Sequence, residues 1–399
     1  MKYDFDKYVE RRGTYSAKWD GVPLFAALFK QEAPWNDETI PMMVADMDFE
    51  CPPKLVEAMH RVADHKIYGY TMHLTDPRYN KAIIDWYKRR YNTDLKEEWL
   101  LYSNGSVSCI NCALNAFLNP GDGVIIMPPV YGHFNGMATD ETPHKVVHSP
   151  MVNTDGYYTV DWEDFENKCA MPRNRAFILC SPNNPVGRVW NEEELKRMAA
   201  ICKKHNVLLI SDEIHSDILR RGVTHYPIVS VVEEYSNIIM VIGINKSFNV
   251  AGLQCSTAII PDEHLRQVFQ SQFGLVMPTP FAVAAQIAAY DECEDWLEEL
   301  NLYLDANIDY TIAFFADHMP KLKIRRPEGS YMLWLDFRAY GISDDDIRRR
   351  VYVNANVMLQ DGIGHDPVFG RGFQRMCVTL SRPLLEKALS RIAAAFSDL

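Results

Sequence analysis

The sequence predicts an α/β protein: a mostly parallel central sheet in a large domain, with a smaller α+β domain beside it. Two observations carry this. The middle of the chain alternates short, continuous apolar runs with amphipathic stretches, and the C-terminal third changes to a different pattern. Gly123–Met127 (GVIIM), Ala176–Cys180 (AFILC), Val207–Ile210 (VLLI) and Ile238–Ile242 (IIMVI) read as strands buried on both faces. Between them, Glu192–His205 places Leu195, Met198, Ala199 and Cys202 on one helical face, with Asn191 available as N-cap. Strands of this kind alternating with helices imply a parallel sheet covered on both sides. Further on, Trp296–His318 reads as a long helix, Gly329–Phe337 (GSYMLWLDF) as a strand and Pro383–Phe396 as a closing helix. The first fifty residues, with Pro23, Pro34 and Pro41, are expected to wrap the domain boundary.

Composition narrows the function classes. A chain of 399 residues is long enough for two or three domains. It carries 53 acidic and 41 basic residues, a net charge of −12, which disfavours general binding to nucleic acid or membrane surfaces because both are anionic. Hydrophobic content of 47% and charged content of 24% are globular values. No apolar run approaches the roughly 20 residues that span a bilayer. The first residues, MKYDFDKYVERRG, lack the apolar core of a signal peptide, so a cytoplasmic protein is expected. Nine cysteines cannot all pair. Cys109 and Cys112 have CxxC spacing, which suits a redox dithiol or half a zinc site, but no second CxxC completes one. They are therefore read as small apolar residues on adjacent turns of a buried helix. His144 and His148 fall in HKVVH, a strand pattern in which that spacing makes no helical ligand pair, and no metal is expected.

In parallel sheets, ligands bind beyond the carboxyl ends of strands. After Leu100–Tyr102 comes Ser103-Asn104-Gly105-Ser106-Val107, a glycine turn opening a helix, whose free N–H groups suit a phosphate. After GVIIM comes Tyr131; after AFILC, the amide-bearing turn Ser181–Gly187; after VLLI, Ser211-Asp212-Glu213-Ile214-His215; after IIMVI, Lys246. Singly, each has a bland explanation as packing, cap or solvated charge. Together they form one coherent set: a phosphate cradle, an aromatic for a ring, an amide and a carboxylate for ring heteroatoms, and an amine for an aldehyde. That set describes pyridoxal 5′-phosphate.

Along nearly its whole length the chain resembles fold-type I pyridoxal-phosphate enzymes of the class I/II aminotransferase superfamily, and among them the bacterial C–S β-lyases of cystalysin and cystathionine β-lyase type. The resemblance rests on Gly13-Thr14, Lys18-Trp19-Asp20, Val44–Phe49 (VADMDF), Tyr68–Thr71 (YGYT), Ser181–Trp190 (SPNNPVGRVW), Ser211–His215 (SDEIH), Lys246–Leu253 (KSFNVAGL), Glu328–Arg338 (EGSYMLWLDFR) and Gly372–Arg375 (GFQR), in that order. It implies that Lys246 condenses with the cofactor aldehyde and later moves the substrate proton. Asp212 is implied to keep the pyridine nitrogen protonated. Asn184, with His215, would meet the ring hydroxyl. Tyr131 would stack on the ring and count with Lys246 among the catalytic residues. The N–H groups of Gly105, Ser106 and Val107 would hold the phosphate, with Tyr70 reaching it from the partner of a homodimer. Arg375, beside Asn184, would grip the substrate carboxylate. The implied division is 50–290 for the large domain, with 1–49 and 291–399 forming the small one. The implied reaction is α,β-elimination of cystathionine or cysteine-like amino acids to pyruvate, ammonia and a thiol.

Two other readings compete: an aminotransferase on the same scaffold, and a pyridoxal-phosphate-binding regulator acting through protein contacts. Where aminotransferases place an arginine eight residues after the lysine, this chain has Gln254, and the lyase branch also lacks the arginine. The chain also departs from the family pattern. Asn245 precedes the lysine where serine is usual, and Gly243 stands where a hydroxyl often helps hold the phosphate. The amide of Asn245 or Gln254 is the expected compensation. Arg375 is followed by Met376 and Cys377, and the loop 361–371 matches the family spacing poorly, which directs His365 toward the substrate pocket.

Overall fold

In the computed structural model, residues 2–28, 35–137, 143–232 and 237–399 are described. The large sheet has seven strands: β1 (Leu100–Ser103), β2 (Gly123–Ile126), β3 (Lys145–His148), β4 (Asn174–Cys180), β5 (Leu208–Asp212), β6 (Ile238–Gly243) and β7 (Ser256–Ile259), in spatial order β1-β7-β6-β5-β4-β2-β3. Only β7 runs against its neighbours; the other strands are parallel. The apolar runs alternate between the two faces as the strand period requires. Val124, Ile178, Ile210 and Val241 pack on one side, and Ile125, Leu179, Leu209 and Ile242 on the other.

The predicted elements are present, with shifted ends. β5 extends two residues past Ile210, because Ser211 and Asp212 still pair with Leu179 and Cys180 of β4. The helix α1 (Ser106–Phe117) follows the glycine turn and carries Cys109 and Cys112, both buried. The helix α2 (Glu192–His205) starts on a reciprocal cap: the Asn191 side chain accepts from the Glu194 N–H, and the Glu194 carboxylate accepts from the Asn191 N–H. The long helix α3 spans Glu294–His318, two residues earlier than expected, and α4 spans Arg382–Ala395.

The second sheet is antiparallel: β8 (Lys323–Ile324), β9 (Met332–Asp336), β10 (Gln360–Asp361) and β11 (Phe373–Cys377), in order β8-β9-β11-β10. The expected strand Gly329–Phe337 shrinks to β9, since Ser330 bonds back to Ile218 of the large unit rather than into the ladder. Near the N-terminus, Ile40–Pro41 pairs in parallel with Val357–Met358. Val22, Ala26, Ile40 and Met42 share one apolar cluster with Leu333, Leu335, Met376 and Leu389. Residues from both ends of the chain thus pack together, and the N-terminal segment is brought over the mouth of the large sheet. No described helix is long and apolar enough to cross a membrane.

Candidate active site

A cavity of about 470 Å³ opens beyond the carboxyl ends of the parallel strands. The site residues nominated from the sequence line it, except His365 and Tyr70; Tyr70 is fully exposed at 102% and lies outside it.

One end is built by the large sheet. Gly105, at φ +103, makes the turn between β1 and α1 that a side chain would strain. The first hydrogen bond of α1 runs from the Cys109 N–H to the Gly105 carbonyl at 3.1 Å, so the N–H groups of Ser106, Val107 and Ser108 have no helical acceptor. They face the cavity at the positive end of the helix, the environment a phosphate requires. Asp212, the last residue of β5, is 5% exposed. Burial pushes its carboxyl up to about 6, against the pull of the Ile214 N–H it accepts at 3.2 Å and of the Lys246 charge. A protonated ring nitrogen placed against it would restore the ionised form.

Lys246 sits on the short turn after β6, partly buried, and its Nζ donates to the Ala45 carbonyl at 2.7 Å. Tyr331 Oη donates to the same carbonyl at 3.0 Å. Burial lowers the proton affinity of Lys246, while Asp46 raises it. The buried His215 ring has its Nδ1 at 3.2 Å from Ser330 Oγ, and burial holds it neutral. Tyr131 follows β2 and packs edge-on against Phe134 at 5.6 Å, which fixes its ring beside the strand ends. An aldehyde-reactive amine, a carboxylate, a neutral imidazole, an aromatic face and a helix start thus converge. This donor set fits pyridoxal phosphate.

The other end is built by the small sheet and the N-terminal segment. Arg375, on β11, is 3% exposed and has no carboxylate at ion-pair distance among the described residues. Its Nη1 donates to Asn184 Oδ1 at 3.1 Å and its Nη2 to the Met43 carbonyl, while Nε has no partner. A buried guanidinium without a counter-ion is costly, and its planar fork matches a carboxylate. Because the Asn184 oxygen is taken by Arg375, the Asn184 amide donor is left for a ring oxygen.

The structure corrects one placement. His365 does not enter the cavity. It is fully buried, with Nδ1 3.2 Å from the Val130 carbonyl and its ring edge-on to Trp334 at 5.5 Å. The loop folds back on the turn before Tyr131, and Gln360 takes the place on the cavity wall. The Ala45 carbonyl and Gln360 were both missed from the sequence. The first is a backbone group with no side-chain signature. The second lies on a strand two residues long.

The two departures around the lysine have structural reasons. A Cβ on Gly243 would stand 2.6 Å from the Cys255 carbonyl and 3.0 Å from Ser256 Oγ, so no hydroxyl-bearing residue fits there without movement. Asn245 lines the cavity, but its amide is engaged: Oδ1 accepts from the Cys255 N–H at 3.1 Å and Nδ2 donates to Ser256 Oγ at 3.2 Å. Gln254 also lines the cavity, in the left-handed region at φ +50. Burial raises both Cys109 and Cys112, the latter to about 11, so neither is a ready thiolate at neutral pH. Among the described residues, no group of three or more His, Cys, Asp or Glu side chains is placed to hold a metal.

A parallel sheet with an amine, a carboxylate and a helix start at its strand ends defines a class, and comparison with known proteins places the chain within it. Residues 37–392 match the model of the aminotransferase class I and II family, and the chain belongs to that family. It is 38% identical over 399 residues to cystathionine β-lyase PatB of Bacillus subtilis (strain 168), covering 99% of this chain and 100% of the relative. Among solved structures, cystalysin from Treponema denticola, which contains pyridoxal 5′-phosphate, is 31% identical over the full length of both chains, with a TM-score of 0.93. A pyridoxal-phosphate-bound C–S lyase from Staphylococcus hominis is 32% identical over 98% of each chain, with a TM-score of 0.91. The fold is therefore that of the fold-type I enzymes.

Proposed function

We propose that the protein is a pyridoxal-phosphate-dependent C–S β-lyase, cleaving cystathionine or cysteine-like amino acids to pyruvate, ammonia and a thiol. The observation that carries this is the meeting, in one cavity, of the Lys246 amine, the buried Asp212 carboxylate and an Arg375 with no counter-ion. Similarity to cystathionine β-lyase and C–S lyase relatives over the whole chain supports the choice of reaction.

Bound here, pyridoxal phosphate supplies an aldehyde and an electron-accepting ring. Ser106 and Val107 would hold the phosphate through their N–H groups together with Gly105, Tyr131 would cover the ring face, and Asn184 with His215 would meet its hydroxyl. Asp212 would hold a proton at the ring nitrogen. Arg375 would fix the α-carboxylate and thereby aim the Cα–H bond at Lys246. The Lys246 amine, whose proton affinity burial has lowered, would take the Cα proton as general base. Release of a thiolate from Cβ needs little acid assistance, since thiols ionise near ~8.5. The Ala45 carbonyl would receive the Lys246 amine when substrate occupies its place.

We also infer a homodimer in which Tyr70 reaches the partner's phosphate site. Ile67, Tyr68, Tyr70, Met72 and Leu74 form an exposed apolar stretch that lies outside the active-site cavity of their own chain. The chain divides into a large domain, 50–290, and a small one from 1–49 and 291–399; the shared cluster of N- and C-terminal residues supports this. All nine cysteines are free, which supports a reducing, cytoplasmic setting. The test of function is incubation of the holoenzyme with cystathionine or S-alkylcysteine without any oxo acid. Sustained release of pyruvate and ammonia is expected. One turnover per site, resuming only when an oxo acid is added, would show an aminotransferase instead.

A further inference from the structure

Once these roles are assigned, the cavity keeps several uncommitted polar side chains, and Gln360 is the one that stands beside Arg375. Gln360 lies directly opposite Arg375 across the antiparallel pair β10–β11, so the two side chains stand on the same face of the sheet. Both line the cavity. The Gln360 amide makes no hydrogen bond to any described residue, in contrast to its neighbours: Asp361 is tied to Arg348 and Ile363, and Arg375 to Asn184 and Met43. Gln360 Nε2 is 4.0 Å from where a Cβ on Gly364 would stand, and the Gly364 carbonyl presses within 2.1 Å of the corresponding point on Gly132. The free amide thus sits at the seam between Arg375 and the turn that carries Tyr131.

Phe25, Met43 and Val44 also line the cavity. Among the described residues, the charged side chains lining the cavity are Asp212, Lys246 and Arg375, and all three are used by the cofactor or the α-carboxylate. The remaining titratable groups of the lining are the His215 ring, bonded to Ser330, His133 beside Tyr131, the Tyr131 phenol itself and the Cys180 thiol. Among the described residues lining the cavity, no further carboxylate, ammonium or guanidinium is left for a second ammonium or carboxylate on the departing part of the substrate.

We propose that Gln360 is the specificity-determining residue for the thiol-side group. It selects cysteine thioethers whose departing part is uncharged and carries a hydrogen-bonding atom, over those that carry a second ammonium–carboxylate pair. This rests on the lyase reading and narrows it. A site built to hydrogen-bond a substrate group rejects the analogue lacking it, because its own polar atom is then left unpaired.

The test compares three thioethers of cysteine on the holoenzyme: S-(2-hydroxyethyl)cysteine, its apolar near-isostere S-propylcysteine, and cystathionine. We expect kcat/KM for the hydroxyethyl compound to exceed that for each of the others by about tenfold or more. In Gln360→Leu the preference over S-propylcysteine is expected to disappear, since the amide that S-propylcysteine leaves unpaired is gone. An equal loss on all three would place Gln360 on the shared α-carboxylate and overturn the proposal, as would a wild-type preference for cystathionine. Equilibrium binding of the same compounds, followed by the cofactor's absorbance, reads the same ranking without turnover. If no compound yields pyruvate, the lyase reading fails, and the binding ranking alone still upholds or overturns the role of Gln360.

Discussion

At the cofactor end of the cavity, the polar groups stand at the ends of parallel strands. The carboxylate and the phosphate cradle are held by close neighbours in sequence, although Lys246 and His215 reach Ala45 and Ser330. Asp212 is fixed by the N–H of Ile214, and the α1 start by the turn at Gly105. At the substrate end the anchors are remote: Arg375 bonds to Asn184, 191 positions away, and to Met43, 332 away. The two ends also differ electrostatically. Lys246 and Asp212 oppose one another across the cofactor end, whereas Arg375 has no partner of opposite sign among the described residues. The difference teaches where each part of the reaction draws its energy. The cofactor end is organised before anything binds. The substrate end holds an unbalanced charge that only a ligand neutralises.

The sharpest test of the cofactor end is Lys246→Ala. Positioned general bases contribute about 10²–10⁴-fold, and this lysine would also fix the aldehyde, so pyruvate release should fall by about 10³-fold or more. The cofactor absorbance that depends on the lysine should be lost. A variant that keeps that absorbance would remove Lys246 from the centre of the site.

Arg375→Leu probes the opposite end. Hydrogen bonds to charged groups are worth about 1.5–3 kcal/mol each, so losing a bidentate grip should lower kcat/KM by about 10²–10⁴-fold, mainly through KM. Because the guanidinium is buried without a counter-ion, the cofactor-free variant should melt no lower than the wild type in thermal scans. A large loss of melting temperature would mean that Arg375 is there to hold β11, and the contrast between the two ends would fail.

Asp212→Asn tests whether the cofactor end is organised at a cost. The folded-state carboxyl titrates at about 6, above its ordinary 3.8, so the folded protein binds the extra proton between those values. Stability from this group is therefore present at low pH and lost as pH rises through 6, a penalty of roughly 3 kcal/mol at neutral pH. In urea unfolding of cofactor-free protein, the variant and wild type should match below pH 4. The variant should gain a lead between pH 4 and 6 and keep it above. Cofactor should erase the lead by pairing its ring nitrogen with the carboxylate. A lead independent of pH would show that burial of the charge is not its source.

The same division explains what could be read from sequence. The strand ends were legible because each rests on a local pattern, an apolar run ended by a turn, and α2 because its reciprocal cap lies within four residues. The strand β7 was not, being four residues long and opening on Ser256 and Thr257, so that no continuous apolar run marks it. At the substrate end, Arg375 was found through a motif, but Gln360 could not be, since its place opposite Arg375 comes from pairing between distant segments. His365 was misplaced for the same reason. Its loop folds onto Val130, 235 positions earlier, a contact no local pattern encodes.

The smallest expected effect comes from Asn245→Ala. The Asn245 amide links the residue before the lysine to the start of β7 through the Cys255 N–H and Ser256 Oγ, and Gly243 leaves room for that arrangement. Removing it leaves two buried groups unpaired, so the protein should lose about 1–3 kcal/mol in urea unfolding. The N–H groups at Gly105–Val107 are untouched, and cofactor affinity should weaken by less than about tenfold, the equivalent of 1.4 kcal/mol. Titration of apoprotein with cofactor measures this directly. A hundredfold weakening would mean that the amide itself takes the phosphate. The cofactor end would then rely on a side chain as the substrate end does, and its preorganisation by backbone alone would have to be given up.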